Sequence, residues 1–221
     1  MDLFDLIGPV MIGPSSSHTA GAARIGLTAR LLLGEDVVRA HIDLHGSFSK
    51  TYRGHGTDRA LVGGLMGMSV DDERLRDSLE LAHQAGMIIH FERTVIRGAH
   101  PNTVRLEIIG ASGRVLTMEA ASVGGGNIEI HSLNGMGVNF TGKENTLIIQ
   151  HSDTPGAIAK VTSVIAGHGI NIANMQCFRR KAGGDAIMVL ELDGVPEETL
   201  LQQMRDMQDV QGCTFLKRRS E

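Results

Sequence analysis

The sequence predicts an α+β protein in two parts, and three observations predict it. Segments of strand period and helix period follow one another irregularly through the first 142 residues. A polar, turn-prone stretch, Gly142-Lys143-Glu144-Asn145, then interrupts the apolar patterning. The residues after it run β-α-β-β-α-β, a split βαβ order. A chain of 221 residues is long enough for two small domains, placed here at residues 1–142 and 146–221.

The first helix is announced by Gly13-Pro14-Ser15-Ser16-Ser17-His18-Thr19. Pro14 cannot continue a strand and serines are preferred N-caps, so the turn opens a helix over residues 20–33, closed by Gly34. The free N–H groups of such an end attract anions, a carboxylate among them. Beside them stand four hydroxyls and an imidazole, which makes this turn the first candidate site. Val38, Ala40, Ile42 and Leu44 alternate with polar residues as a half-buried strand. Thr57 and Asp58 open a short helix through Leu61, Val62, Leu65 and Met66. Asp71, Asp72 and Glu73 place negative charge at the start of another, with Leu75, Leu79 and Ala82 as its apolar face and Gly86 as its stop. Residues 87–96 and the alternation of Val104, Leu106 and Ile108 read as strands, and the Gly110–Gly113 turn lets residues 115–121 pair back as a hairpin. Gly124-Gly125-Gly126 marks a bulge or a close backbone approach before the strand resumes at 128–133. No Lys-Ser or Lys-Thr follows, which argues against a phosphate loop.

In the second part, residues 146–150 form a strand and Pro155 occupies the first helical position behind a cap at Asp153 or Thr154. Ile158, Val161, Val164 and Ile165 supply the apolar face, and Gly167-His168-Gly169 ends the helix. Residues 170–180 and 185–192 are strands joined through Lys181-Ala182-Gly183-Gly184. Pro196 starts a second helix through Leu200, Leu201 and Met204, and residues 211–217 are the last strand.

The totals exclude several classes. The net charge is −4, no block of basic residues is present, and aromatic residues are 3% with no Trp, so neither a basic patch nor a stacking platform for nucleic acid exists. No apolar run approaches the roughly 20 residues that span a membrane. Asp2 and Asp5 stand where a signal peptide is basic, so a cytoplasmic location is expected. Cys177 and Cys213 form no CxxC pair, are too few for a four-cysteine cluster or zinc site, and are expected to be buried thiols. His41, Asp43 and His45 alternate and so share one strand face. That pattern suits a surface metal site or a solvated face, and we expect the solvated face and no metal on this chain. Lys50, Lys143, Lys160, Lys181 and Lys217 lie in no Schiff-base motif. Gly21, Ala22, Ala23 and Gly26 crowd the first helix, where each glycine costs about 1 kcal/mol relative to alanine; a close partner surface is expected to offset that cost.

Two stretches carry family resemblance. His151-Ser152-Asp153-Thr154-Pro155-Gly156, followed by Gly169-Ile170-Asn171-Ile172, resembles an ACT domain. The run from Phe4 to Gly21, then Tyr52-Arg53-Gly54-His55-Gly56-Thr57-Asp58, His100-Pro101-Asn102-Thr103 and Gly124-Gly125-Gly126, resembles the β part of bacterial iron–sulfur L-serine dehydratases. The likeness covers essentially the whole chain. It implies a mixed α/β serine dehydratase beta domain, allosteric substrate-binding-like, followed by a ferredoxin-like βαββαβ ACT domain.

The resemblance also implies a role. The family's catalytic part carries the cysteines of a [4Fe–4S] cluster, which this chain lacks. The implied protein is therefore the β subunit of a two-chain enzyme that turns L-serine into pyruvate and ammonia, with the cluster ligated by a separate catalytic α chain. His55, His18 and Thr57 are the implied catalytic residues, and Ser15, Ser16, Ser17 and Thr19 the substrate or interface loop. In the ACT domain, Asp153, Gly156, Asn171 and Ile172 are the implied ligand residues, with Asp153 or Asn171 taking an ammonium, and self-association of that domain is expected. Two other readings stand beside this one. A purely regulatory amino-acid sensor would use the same ACT fold, as in the related domain of some D-3-phosphoglycerate dehydrogenases, or the fold could only dimerise. A Ser–His hydrolase is disfavoured, because adjacent residues rarely set nucleophile against base and no Gly-x-Ser-x-Gly elbow is present.

Overall fold

The computed structural model describes residues 15–218. Gly13, Pro14 and the motif residues before them lie outside the described residues. The chain divides into two compact units, Met1–Thr141 and Gly142–Glu221. No helix among the described residues is long and apolar enough to cross a membrane.

In the first unit a π turn, Ser16–Gly21, runs directly into helix α1 (Ala22–Leu33), which ends at Gly34 in the left-handed region. Strand β1 (Val37–His45) follows, then short helix α2 (Gly46–Thr51), helix α3 (Thr57–Leu65), a 3-10 turn (Glu73–Asp77), helix α4 (Ser78–Gln84) and strand β2 (Ile88–Thr94). Strands β3 (Thr103–Gly110), β4 (Val115–Gly124), β5 (Asn127–Leu133) and β6 (Met136–Phe140) form a meander. The sheet order is β2-β1-β3-β4-β5-β6, with β1 and β2 parallel and the other pairs antiparallel.

Register shows how the alternation in sequence becomes a core. Ala40, Ile108 and Leu116 stand side by side across β1, β3 and β4, as do Ile42, Leu106 and Met118, and Leu44, Val104 and Ala120. All nine are buried to 1% exposure or less. Helix α1 lies against this face and against α3. Two details depart from the sequence reading. Val38 is exposed, because a bulge between Val37 and Arg39 makes Val37 the buried residue. Gly125 and Gly126, with φ of 58° and 76°, make a two-residue hairpin turn between β4 and β5, a conformation that matches strand twist and strongly favours glycine. A bulge between Ser122 and Gly124 precedes it.

The small residues of α1 have an internal explanation. A Cβ on Gly26 would run into the Leu61 carbonyl and come within 3.1 Å of the Gly64 Cα. A Cβ on Gly64 would run into the Ala23 carbonyl and sit 2.6 Å from the Leu27 nitrogen. Gly21 is likewise closed off by Ser122. Ala22 and Ala23 are wholly buried. The expected partner surface on this helix is therefore corrected: the glycines let α1 and α3 touch backbone to backbone inside the domain.

The second unit follows the expected order: β7 (Asn145–Ser152), α5 (Ala157–Gly167), β8 (Ile172–Arg179), β9 (Asp185–Leu192), α6 (Glu198–Arg205) and β10 (Val210–Leu216). Its antiparallel sheet runs β10-β7-β9-β8. Leu147, Ile149, Val161, Ile165, Met188, Leu190, Leu200 and Met204 build the core beneath the two helices. Helix α5 starts later than the sequence suggests. Gly156, at φ +89°, precedes Ala157, and no side chain caps the end. Asp153 is occupied elsewhere, and Pro155 sits in the entering turn. The phase of the helix shifts accordingly: Ala157, Val161 and Ile165 face the core, while Ile158 is 42% exposed. Cys177, expected to be buried, is exposed on β8; Cys213, on β10, is half-buried.

The α1–α3 contact gives a test. Gly64→Ala should lower stability by about 1–3 kcal/mol through overpacking. Gly137→Ala, at a position with open space around it, should be close to neutral. Urea unfolding of both variants measures the difference.

Candidate functional site

Three segments meet around His18, and a fourth supports them from beneath. Ser15 has extended backbone, and its hydroxyl accepts from the His18 N–H at 3.2 Å, which caps the helix. The same hydroxyl is 3.3 Å from His18 Nδ1, and Ser47 Oγ, from α2, is 3.0 Å from Nε2. Both ring nitrogens are thus engaged. The ring edge also meets Phe48 at 5.4 Å and His55 at 4.9 Å between centroids. Burial, and then the neighbouring His55, hold the His18 pKa below its ordinary value of 6.5, so His18 is neutral at pH 7.

Backbone contacts fix the two supporting loops. Thr19 Oγ1 donates to the His55 carbonyl at 3.2 Å. The His55 N–H donates to Thr51 O at 3.0 Å and the Thr57 N–H to Tyr52 O at 2.8 Å, which folds the loop back on α2 before α3 begins. Ser47 is held from below: its N–H donates to Pro101 O at 2.7 Å, and a Cβ on Gly46 would come within 2.9 Å of Pro101 Cα. Thus His100-Pro101-Asn102 supports Ser47, Ser47 holds His18, and His18 packs on His55.

The predicted residues occupy distinct positions. Ser15, His18, Thr19 and His55 are brought together. His55 is exposed, whereas Thr57 is wholly buried and its Oγ1 has no hydrogen-bond partner among the described residues. Ser16 and Ser17 lie half-buried in the π turn. The sequence reading missed Ser47, which lies 29 positions from His18 with no motif linking the two. It also gave no role to Asn102 and Ser122. Asn102 O accepts the Ser122 N–H at 3.0 Å, and Asn102 Oδ1 and Ser122 Oγ are buried without a partner among the described residues.

In the second unit the four predicted ligand residues fall into two pairs. Asp153 and Gly156 precede α5; Asn171 and Ile172 follow it. The helix between them has 11 residues, about 16 Å of rise. The Asp153 carboxylate accepts from Arg179 at 3.0 Å and from the Gly183 N–H at 3.1 Å, contacts that hold its pKa below the usual range. Asn171 Nδ2 donates to Asp193 at 2.6 Å. One further residue stands out. His151 is 1% exposed, with Nδ1 2.8 Å from Ser152 O and Nε2 without a partner among the described residues. It lines a cavity of about 120 Å³ with Val161, Met207 and the Lys160–Asp209 ion pair, which spans 2.9 Å.

An iron–sulfur cluster does not fit the cysteines of this chain. Cluster ligation takes four thiolates or a close equivalent. Cys177 and Cys213 lie on β8 and β10, the opposite edges of the four-stranded sheet. Burial also pushes the Cys213 thiol up to about 11, which keeps it protonated.

The fold and the site define a two-domain chain with an exposed histidine beside a hydroxyl-rich helix start. Residues 1–88 match the serine dehydratase beta chain family and residues 145–208 the ACT domain family. The chain is 40% identical to a probable L-serine dehydratase, beta chain, of Bacillus subtilis (strain 168), over 94% of each chain. It is 37% identical to the L-serine dehydratase, beta chain, of Peptoniphilus asaccharolyticus, over 89% of each. A D-3-phosphoglycerate dehydrogenase of Bacillus subtilis (strain 168) is 25% identical across 86% of this chain, which spans 36% of that protein. The chain belongs to the family of L-serine dehydratase beta chains and carries a C-terminal ACT domain.

The His18 environment predicts a titration. Its NMR midpoint should lie below 6.5, and His55→Ala should move it part of the way back by removing the second of the two causes. Because the folded pKa is the lower one, the unfolded chain takes the proton first. The contribution of His18 to stability is therefore present above pH 6.5 and lost as pH falls toward the folded midpoint. A midpoint unmoved by His55→Ala would remove the ring-to-ring coupling.

Proposed function

We propose that this chain lends His55 and the Ser15–Thr19 turn to an active site completed by a separate α chain, and that the assembled enzyme converts L-serine to pyruvate and ammonia. The [4Fe–4S] cluster, for which this chain has no ligands, belongs on the α chain. The observation that carries the assignment within this chain is the contrast between two imidazoles. His18 has both nitrogens engaged by Ser15 and Ser47, while His55 is exposed beside it.

The reaction removes the α-proton and the β-hydroxyl of serine as water; the resulting aminoacrylate tautomerises and hydrolyses to pyruvate and ammonium. An imidazole is a side chain suited to this proton transfer. His55 is the group on this chain that takes or returns that proton, and it acts on substrate presented from the partner side. His18 positions the His55 ring and the helix start. The hydroxyls of Ser16 and Ser17 at the helix start offer a carboxylate-binding end, favoured by the helix dipole. Thr57, buried at the first position of α3, supports the His55 loop from within and does not meet substrate.

The ACT domain is proposed to bind an amino acid and to pair with a second copy. The separation of Asp153 and Gly156 from Asn171 and Ile172 supports the pairing, because one amino acid cannot reach both ends of α5 in a single chain. Similarity over nearly the full length of two dehydratase beta chains favours the subunit reading over a free-standing sensor.

The test is anaerobic pyruvate release from L-serine, first with this chain alone and then with a cluster-loaded α chain. Activity is expected only in the mixture. His55→Ala should cut turnover of the assembled enzyme by about 100-fold or more. Turnover by the single chain, or near-normal turnover of the His55 variant, would overturn the assignment.

A further inference from the structure

The outer face of the six-stranded sheet carries a side-chain array that the active-site reading leaves unused. The parallel register of β1 and β2 sets His41 beside His90 and Asp43 beside Glu92. Alternate residues of a strand share a face, so all four stand opposite the core residues Ala40 and Ile42. His41 Nε2 is 3.0 Å from Asp43 Oδ1 and 3.5 Å from Glu92 Oε2. One ligand atom from each of the three lies within 4.8 Å of the others. The His90 ring stacks on His41 at 4.9 Å and 24°. His45, which shares this face by alternation, is engaged elsewhere: its Nδ1 accepts the Ile96 N–H at 3.1 Å. Glu92 takes its place as the third convergent group.

Charge sharpens the picture. Asp43 and Glu92 are directly opposed like charges, an arrangement that destabilises a strand pair. Glu107 faces His41 from β3, which adds a third carboxylate. The cation nearest in register to Asp43 is Arg105 on β3, and it donates to Glu119 at 2.9 Å. Arg39, two residues before His41, shares this face by alternation, so three carboxylates, Asp43, Glu92 and Glu107, stand around His41 against two fixed cations, of which Arg105 is already paired. The spacing has a natural filler. Four-coordinate zinc with bonds near 2.0 Å sets its ligand atoms about 3.3 Å apart, between the two separations seen from His41 Nε2.

We propose that His41, Asp43 and Glu92 form a site for a divalent transition-metal ion, of the Zn²⁺ type. One imidazole nitrogen and two carboxylate oxygens are a donor set such ions accept, with water completing the coordination. The ion cancels the Asp43–Glu92 repulsion and ties edge strand β2, which hydrogen-bonds to the sheet only through β1, to the rest of the domain. Asp43 is the least exposed of the three side chains, at 19%, and anchors the ion against the sheet.

Zinc titration of the full-length, tag-free, chelator-treated chain by calorimetry tests this, with Co²⁺ absorption as a coordination readout. Saturable binding of a single ion per chain is expected, with a visible Co²⁺ ligand-field band and a Zn²⁺-dependent rise in melting temperature. His41→Ala, Asp43→Asn and Glu92→Gln should each weaken binding by about tenfold or more. His131→Ala, at an imidazole 3.8 Å from Glu129 on β5, should leave it unchanged. All four positions are at the surface, so the variants are expected to fold, which far-ultraviolet circular dichroism verifies. Absence of saturable binding up to roughly 1 mM Zn²⁺, or binding that His41→Ala and Asp43→Asn leave intact, would overturn the site.

Discussion

The close approach of α1 and α3 is the constraint on which the site depends. Thr19 meets His55, Gly26 meets Gly64, and Arg30 reaches the Leu65 carbonyl, so contacts advance along both helices in the same direction. The two helices are therefore parallel, with their starts at one end. That geometry places the Ser15–Thr19 turn beside the His55 loop although 36 residues separate Thr19 from His55. Antiparallel packing would put them at opposite ends. Only glycine at positions 26 and 64 lets the backbones come this near, so residues deep in the helix pair set the separation of the groups at its mouth.

The division between the two histidines follows from the same geometry. An imidazole held at both nitrogens and partly desolvated is a poor proton carrier at neutral pH, since taking a proton costs it a hydrogen-bond arrangement and hydration. It is a good spacer. His18 fills that part, with Ser47 and the Pro101 loop fixing its ring. His55, with its backbone tied at the N–H and the carbonyl and its ring exposed, combines a fixed position with an accessible nitrogen. Under the proposed function, that fixed placement is the feature that suits His55 to its role.

Much of this was legible in the sequence. The strand alternation that buries Ala40, Ile42, Leu44, Val104, Leu106 and Ile108 is a period-two signal, and the second unit's element order needed only its glycines and prolines. What escaped the sequence depends on contacts remote along the chain. Short α2 follows β1 without a cap signal, and β6 is five residues long. Ser47 joins the site only because the Pro101 carbonyl holds its backbone. Val38 lost its place to Val37 through a bulge that periodicity cannot register. The late start of α5 has the same origin: Asp153 had two possible partners, its own helix N–H groups and the Arg179 side chain on β8, and the second prevails.

The glycines of α1 also change where a partner must be sought. Read in isolation, a run of small residues on a helix suggests an outward face made for close contact. In the fold that face is consumed by α3 and by Ser122, and no surface remains there for another chain. The exposed ground near the site is instead the loop Arg53-Gly54-His55. Its neighbour Tyr52 lies under two guanidinium groups, Arg53 and Arg93, each 5.5 Å from the ring centroid, with Phe91 against its side at 5.9 Å. The ring quadrupole attracts each cation. The exposed ground beside His55 is therefore polar, two guanidinium groups about one aromatic ring, and it lies away from the small-residue face of α1.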